Sequence, residues 1–248
     1  MRSDLPNGEG ARPADSAAAR PIPAWRSRLR DSRPLILFEF AAVAAIFAAD
    51  DVFHVIFFSK TLYLLVLAWV SLWLRGVRWR DIGMRLGPKW PLLVLGGLVG
   101  GAVMEAFELF VSQPVLMRLT GEPPDLSDFH SVIGNWKLLG LGLLLIWTLA
   151  AFGEELVYRG WLLNRMGDLF GRKPAGWTVA AVVCCAVFGS AHLYQGITGV
   201  SENAVDGLAL TIMYFAAGRN LWVPIIAHGV QDTTDLVLVF TNHYPTPV

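Results

Sequence analysis

The stretch "GEELVYRG", residues 153–160, directly follows the apolar run "LLGLGLLLIWTLAAF" of residues 138–152, with no turn residue between them. Two adjacent carboxylates and an arginine therefore stand at the end of a segment of membrane-spanning length. A charged side chain in the middle of a bilayer costs about 2.5–3.5 kcal/mol on insertion scales, so it indicates function unless another reason is found. The rest of the chain is interpreted outward from this stretch.

The composition is that of a membrane protein. Of 248 residues, 54% are hydrophobic and 16% are charged, which is typical of polytopic membrane chains. The formal net charge is zero, so no global field favours nucleic acid as a partner. Cys184 and Cys185 are adjacent in an apolar run, and we expect them to be buried packing thiols and not a disulfide, redox or metal site.

Hydrophobic segments recur along the chain at lengths close to the roughly 20 residues that a transmembrane helix needs. No segment shows the alternation of a membrane β-barrel. We therefore predict an all-α polytopic membrane protein of about seven transmembrane helices, with the active site inside the helix bundle. The apolar runs cover residues 35–49, 52–74, 90–111, 137–158, 177–194, 204–218 and 221–240.

The distribution of Arg and Lys predicts the orientation. Basic residues collect before the first run and again after the second, at Arg75, Arg78, Arg80, Arg85 and Lys89. The long connection 112–136 carries more acids than bases and is expected outside. These positions predict a cytoplasmic N-terminus and an external C-terminus. The short chain and its richness in Ala, Arg and Trp suggest a bacterial source, so we expect an integral protein of a bacterial inner membrane. A cleavable signal peptide is not expected, because residues 1–34 contain no apolar core.

Several ionisable residues fall in or beside apolar runs. Asp50, Asp51 and His54 resemble half of a prenyl-diphosphate-binding motif, but a solvated hairpin is the preferred interpretation. Glu105 and Glu108 share one helical face, where they line a polar cavity or reach the membrane interface; the interface is preferred. The complete set is Asp50, Asp51, His54, Glu105, Glu108, Glu154, Glu155, Arg159, His192, His228, Asp232 and Asp235.

Glu155 and Arg159 are four residues apart with the acid first, which is the favourable order for a helical ion pair. Glu154 then points about 100° away from Glu155 and has no local counter-charge. An isolated carboxylate in an apolar setting has the chemistry of a general base for water. The alternative is that both acids pair with arginines near the cytoplasmic face. From this stretch alone, the two interpretations are about equally supported.

Two further segments carry histidines. His192 follows the small residues of "FGSAH", and His228 lies four residues before Asp232 in "HGVQD". A hydrogen-bonded packing histidine explains the first and a local His–Asp contact the second. The joint occurrence of such clusters on three helices is harder to explain by packing alone.

These groups support two kinds of hydrolytic chemistry. Glu154, His192 and His228 could bind a divalent metal such as zinc. Without a metal, Glu154 and His192 could deprotonate a water while His228 stabilises an oxyanion. No Ser elbow, HExxH or GxGD pattern is present, so three common intramembrane protease motifs are missing.

The ordered segments resemble a known family. "EELVYR" is similar to the EExxxR signature, "FGSAH" to FxxxH, and "HGVQD" to HxxxN or HxxxD, as found in the CPBP intramembrane proteases. This family, also called the CAAX protease and bacteriocin-processing (Abi) family, includes the Rce1-type CAAX prenyl endopeptidases. The segment "RWRDIGMRLGP", residues 78–88, resembles an amphipathic element that often precedes its core.

The resemblance implies specific roles. Glu154 would activate water with help from His192, Glu155 and Arg159 would orient the site, and His228 with Asp232 would hold the oxyanion. Prenyl-processing members have Asn at the position of Asp232. An ionised Asp cannot donate a hydrogen bond to an oxyanion, so Asp232 is protonated, orients His228 or binds a metal. The family leaves metal dependence open.

The resulting domain organisation has four parts. Residues 1–34 are expected to be a disordered cytoplasmic tail, 35–136 the N-terminal helices and outer loop, 137–240 the protease core, and 241–248 a C-terminal tail. The catalytic groups can meet only if the helix carrying Glu154 continues to about Met166, with Arg159 buried against Glu155.

The expected activity is hydrolysis of a peptide bond in a membrane-associated peptide or protein, within the lipid bilayer and without nucleic acid. Two other functions stay open. One is a non-catalytic immunity or scaffold protein of the same fold. The other is a transporter, suggested by Glu105 and Glu108.

Overall fold

The computed structural model describes residues 23–30 and 32–247, and within them every regular element is helical. This confirms the all-α prediction. The principal helices are α1 Ala24–Arg30, α2 Arg33–Asp51, α3 Lys60–Arg75, α4 Trp90–Thr120, α5 Trp136–Phe170, α6 Pro174–Ser190, α7 Gly196–Ala216 and α8 Trp222–Phe240.

Two of these helices, α4 and α5, are long and apolar enough to cross a membrane. The segments Pro174–Ser190 and Leu193–Ala216 qualify as one further span, bent by 62° at the break between them. The predicted number of seven spans is therefore not confirmed. Helix α3, for example, has 16 residues, which is short for a helix that crosses a bilayer.

The predicted N-terminal tail differs from the structure where the two can be compared. Residues 1–22 and 31 lie outside the described part of the chain, but Ala24–Arg30 form α1. Arg75 explains why this segment is held: its guanidinium donates to the carbonyl oxygens of Leu29 and Arg30, at 2.6 and 2.9 Å. These bonds satisfy carbonyls that the end of a helix leaves without partners.

Two helix boundaries also differ from the apolar runs. The run at 52–74 becomes helical only at Lys60, where the Ser59 hydroxyl accepts the Thr61 backbone N–H and caps α3. In the expected loop 112–136, α4 continues to Thr120. A π-helical turn at Glu108–Ser112 carries the helix into this segment.

The second half of α5 forms the centre of the molecule. Residues 155–166 are all buried. This helix segment is therefore covered on every side, whereas a surface helix buries one apolar stripe. Two π-helical stretches, Ile146–Glu154 and Leu156–Leu162, flank Glu155. Wide turns of this kind are frequent at functional sites, and here they present two consecutive carboxylates in different directions.

Helices α4 and α8 approach closely through glycines of α4. A Cβ atom added at Gly97 would lie 2.5 Å from Cβ of Ile226, and one at Gly101 would lie 2.5 Å from the carbonyl oxygen of Ala227. Small residues at such a crossing allow two membrane helices to pack backbone to backbone. The contact carries the later turns of α4 alongside the polar middle segment of α8, residues 228–235.

This contact predicts the effect of adding one methyl group to α4. Gly101→Ala should lower the free energy of unfolding by about 1–3 kcal/mol, because the new Cβ overlaps the α8 backbone. Gly140→Ala is the matched control, since a Cβ there meets no atom within 4 Å. Thermal unfolding in detergent measures both variants, and equal unfolding midpoints would contradict the proposed crossing.

Candidate active site

Glu155 is fully buried and paired with two basic groups. Its Oε1 accepts a 2.6 Å hydrogen bond from Nη1 of Arg159 and lies 3.1 Å from Nδ1 of His228. Arg159 is itself 1% exposed, donates from Nη2 to the Gly207 carbonyl at 2.9 Å, and stacks 4.4 Å from the Phe188 ring centre. Glu155 therefore joins α5 to α6, α7 and α8.

Glu154 has different surroundings, although it is the adjacent residue. Thr61 donates from its hydroxyl to Oε1 at 3.1 Å. The second oxygen, Oε2, is buried and has no hydrogen-bond partner among the described residues. None of the salt bridges within residues 23–30 and 32–247 includes Glu154. Glu155 is thus ion-paired, whereas the contact recorded for Glu154 is the hydrogen bond from Thr61.

The predicted condition for assembling the site is met. Helix α5 continues without a break to Phe170, beyond Met166, and Arg159 is buried against Glu155. Glu154 consequently lies in the interior of a 35-residue helix and not at its end.

His192 lies just after α6, where the chain bends before α7. Its Nδ1 is 3.1 Å from the Phe188 carbonyl oxygen. A carbonyl can only accept, so Nδ1 carries the proton, and in the neutral imidazole Nε2 is left as an acceptor. His192 can therefore accept a hydrogen bond from a water.

His228 faces carboxylates with both ring nitrogens. Nδ1 lies 3.1 Å from Glu155, and Nε2 lies 3.4 Å from Oδ2 of Asp232. A doubly protonated imidazolium satisfies both contacts, since each ring nitrogen then donates. The contact with Asp232 is longer than an ordinary hydrogen bond, which leaves the Nε2 proton available to a second acceptor.

A cavity of about 470 Å³ connects these groups. Glu154, His192, His228 and Asp232 all line it, whereas Glu155 and Arg159 lie buried behind it. One wall is apolar and comes largely from the first turns of α5, with Leu138, Leu141, Leu145 and Leu149. The structure thus brings the six sequence-selected residues together in two layers, four at the cavity and two supporting them.

The proposed zinc ligands do not fit this arrangement. Glu154, His192 and His228 do not offer three ligand atoms within 4.8 Å of one another; within the described part of the chain, Glu105, Glu108 and Asp235 do so. Both nitrogens of His228 also face carboxylates, so neither presents a free lone pair to a metal. No catalytic step is therefore assigned to a metal at these residues.

The preferred interpretation of Glu105 and Glu108 is wrong. Each is 6% exposed, so neither reaches the membrane interface. The alternative, a polar cavity, agrees with the position of Glu108, which lines the cavity described above. The approach of α4 to α8 encloses both side chains, and the sequence of α4 alone does not reveal it.

Asp50, Asp51, His54 and the two cysteines lie outside the candidate site. Asp50 and Asp51 pair with Lys60 at 2.9 and 2.6 Å. Their charges are therefore already compensated, whereas a diphosphate-binding site needs carboxylates that are free to bind. His54 is exposed. Cys184 and Cys185 are free and buried, as predicted.

Two contacting residues were not anticipated. Thr61 donates to Glu154 from 93 positions earlier, and no spacing signal links residues so far apart. Gln231 donates to Glu108; it lies inside the "HGVQD" segment, whose other polar residues were selected. Gln231 lies one helical turn after Ala227, where α4 crosses α8. This position is the signal that could have identified Gln231.

The segment 78–88 packs beneath the turn between α7 and α8. Gly83 accepts the Leu221 backbone N–H at 3.0 Å, and Arg85 donates to the Gly218 carbonyl at 2.9 Å. Within it, Arg78 donates from Nε to Asp81 at 3.1 Å, and this hydrogen bond lowers the pKa of Asp81 below its ordinary value. The segment therefore supports the start of α8, which carries His228.

Comparison with known proteins gives two results. Residues 136–234 match the family model of the Rce1-like type II CAAX prenyl endopeptidases, a region that begins with α5 and includes all six site residues. An 80-residue stretch is 31% identical to the high-affinity gluconate transporter of Escherichia coli (strain K12), covering 32% of this chain and 18% of that protein. The chain therefore spans less than a fifth of that curated relative. No solved structure matches.

The buried ion pair predicts a large difference between two arginine substitutions. Arg159→Met should lower the free energy of unfolding by about 3–5 kcal/mol, because it leaves the Glu155 charge buried with less compensation. Arg78→Met removes an arginine whose side chain is 54% exposed, and such surface pairs contribute about 0–1 kcal/mol. Thermal unfolding in detergent compares them. A similar loss in both variants would show that Arg159 does not stabilise the core.

Proposed function

We propose that this chain, which belongs to the CPBP and CAAX protease family through residues 136–234, is an intramembrane endopeptidase. It would hydrolyse a peptide bond of a membrane-associated peptide or protein. The observation that carries the proposal is the unequal environment of two adjacent carboxylates. Glu155 is ion-paired with Arg159 and does not line the cavity, whereas Glu154 has no ion pair among the described residues and lines the cavity with His192, His228 and Asp232.

Water activation is assigned to Glu154. A carboxylate oxygen of Glu154 accepts one proton from a water in the cavity, while Nε2 of His192 accepts a hydrogen bond from the O–H that remains and orients the resulting hydroxide. The oxygen of this water then bonds to the carbonyl carbon of the substrate. The carbonyl π electrons move onto its oxygen, which becomes the oxyanion of a tetrahedral intermediate.

The oxyanion is assigned to His228. A positive imidazolium in a low-dielectric cavity stabilises developing negative charge strongly, and its Nε2 proton is only loosely held by Asp232 at 3.4 Å. When the intermediate collapses, the carbon–nitrogen bond breaks, and the proton held by Glu154 passes to the leaving amine nitrogen. The products are a new carboxyl terminus and a new amino terminus.

Asp232 acts as an orienting acceptor in this scheme. The sequence left open whether it is a donor, an orienting group or a metal ligand. Its contact with Nε2 of His228 favours the orienting role, because a carboxylate beside an imidazolium accepts and does not donate. An asparagine can accept through its amide oxygen in the same place, which explains how relatives use either residue.

The cavity also suggests the kind of substrate. Its apolar wall would receive an apolar side chain or membrane segment, while the polar wall holds the scissile bond. We place the N-terminus on the cytoplasmic side of the membrane, on the distribution of Arg and Lys between loops. The alternative, a non-catalytic immunity or scaffold protein, would use the same cavity only for binding. The short gluconate transporter match does not extend transport activity to this chain.

Substitution of the base tests the proposal. Glu154→Gln should reduce cleavage of a membrane-peptide library by about 10²–10⁴-fold, because the amide cannot accept a proton from water. The full chain is purified in detergent, and products are identified by mass spectrometry. Asp128→Asn, an exposed loop acid, is the control and should cleave like the wild type.

Two results would contradict the proposal. One is cleavage by Glu154→Gln at the wild-type rate. The other is an absence of cleavage by a folded wild-type protein whose loss in cells is complemented equally well by Glu154→Gln. The second result would support the non-catalytic alternative.

A second test addresses Asp232. Asp232→Asn should retain cleavage within about tenfold of the wild type, because an acceptor for Nε2 of His228 is preserved. Asp232→Leu, of similar volume but without an acceptor, should lose more than Asp232→Asn in kcat. Equal rates for the two variants would show that Asp232 does not act through His228.

A further inference from the structure

A group of carboxylates outside the catalytic residues converges between α4 and α8. Glu105 and Glu108 of α4 and Asp235 of α8 each offer an oxygen, and the three oxygens lie within 4.8 Å of one another. The close crossing at Gly97 and Gly101 brings these helices together. The π-helical turn that begins at Glu108 then continues α4 beside the polar middle segment of α8.

The spacing of the oxygens matches the shell of a divalent cation. Calcium–oxygen distances are about 2.3–2.6 Å, so oxygens on opposite sides of the ion lie up to roughly 5 Å apart. Carboxylate oxygens are the ligands that hard cations such as Ca²⁺, Mg²⁺ and Mn²⁺ prefer. The three side chains therefore have both the chemistry and the separation of a partial coordination shell.

Within the described chain, none of the three carboxylates has an ion pair, and Glu105 also lacks hydrogen-bond partners, whereas Glu108 accepts a hydrogen bond from Gln231. Glu105 is 6% exposed, and neither of its oxygens has a hydrogen-bond partner among the described residues. Other buried acids are paired, with Glu39 at 2.9 Å from Arg75 and Glu155 at 2.6 Å from Arg159. None of the ion pairs in the described chain reaches the three acids.

A fourth acid gives an independent observation. Glu202 of α7 is 4% exposed, and its Oε1 is buried without a partner. It lines the same cavity as Glu108 and Asp235, so a third helix also contributes an acid with a buried, unpartnered oxygen to that cavity. Burial of an uncompensated charge is costly, and a bound cation would offset this cost for all of the acids.

We propose that Glu105, Glu108 and Asp235 form a binding site for a divalent cation of the Ca²⁺ or Mn²⁺ type, entered from the shared cavity. The ion holds α4 against α8. Asp235 lies three residues beyond Asp232, so the ion also steadies the helix turn that orients His228. This site is separate from the peptidase chemistry, and its existence does not depend on the proposed activity.

Binding of Mn²⁺ alone tests the site without any substrate. The full chain is purified in detergent, stripped of metal and titrated with Mn²⁺, while electron paramagnetic resonance measures the free ion. We expect saturable binding with a single Mn²⁺ per chain and a higher unfolding midpoint in its presence. Glu105→Gln and Asp235→Asn should weaken the affinity by about tenfold or more, whereas Asp128→Asn should bind like the wild type.

The titration of the wild type decides the question even if a variant fails to fold. Absence of saturable Mn²⁺ binding to the folded wild-type protein overturns the proposal, as does unchanged binding in folded Glu105→Gln and Asp235→Asn. Competition by Ca²⁺ that displaces Mn²⁺ from the same site further supports a hard-cation site. Because no cleavage is measured, failure here and failure of the peptidase proposal are distinguishable.

Discussion

The carboxylate of Glu155, shared between Arg159 and His228, is the interaction on which the rest of the structure depends. A charge at 0% exposure is tolerable only when it is paired and hydrogen-bonded. Arg159 supplies the pairing from the next turn of α5 and reaches the Gly207 carbonyl of α7. His228 supplies the second contact from α8. One buried carboxylate thereby fixes three helices around the cavity.

The same constraint separates structural from reactive charges. Glu39 pairs with Arg75, and Asp50 and Asp51 pair with Lys60, so these acids are accounted for by stability alone. Glu154 remains without an ion pair next to Glu155, and it faces the cavity. An uncompensated buried acid costs stability, and proteins retain such costs where function requires them. This contrast directs attention to Glu154 without reference to any relative.

Local spacing predicted some parts of the site well. The i, i+4 relations of Glu155 with Arg159 and of His228 with Asp232 both appear as contacts, since a helix brings such residues onto one face. The sequence also predicted that the helix carrying Glu154 must continue to about Met166. These inferences succeeded because each depends on the geometry of one helix.

Features that depend on contacts between distant segments were not predictable. Thr61 reaches Glu154 only because α3 packs against α5. Glu105 and Glu108 are enclosed because glycines of α4 admit the α8 backbone, and their own spacing fitted an interfacial location equally well. Hydropathy likewise placed seven apolar runs, but it did not show where each helix begins or how α4 continues through Glu108–Ser112.

The central claim is that two adjacent glutamates have opposite roles, one structural and one reactive. Thermal unfolding of Glu154→Gln and Glu155→Gln, measured side by side in the same detergent, tests it most directly. Glu155→Gln should lose about 3–5 kcal/mol of unfolding free energy, because Arg159 and His228 lose their shared partner. Glu154→Gln should be as stable as the wild type or more stable, because it removes a half-buried carboxylate that has no ion pair among the described residues. Destabilisation by Glu154→Gln equal to or greater than that by Glu155→Gln would contradict the account.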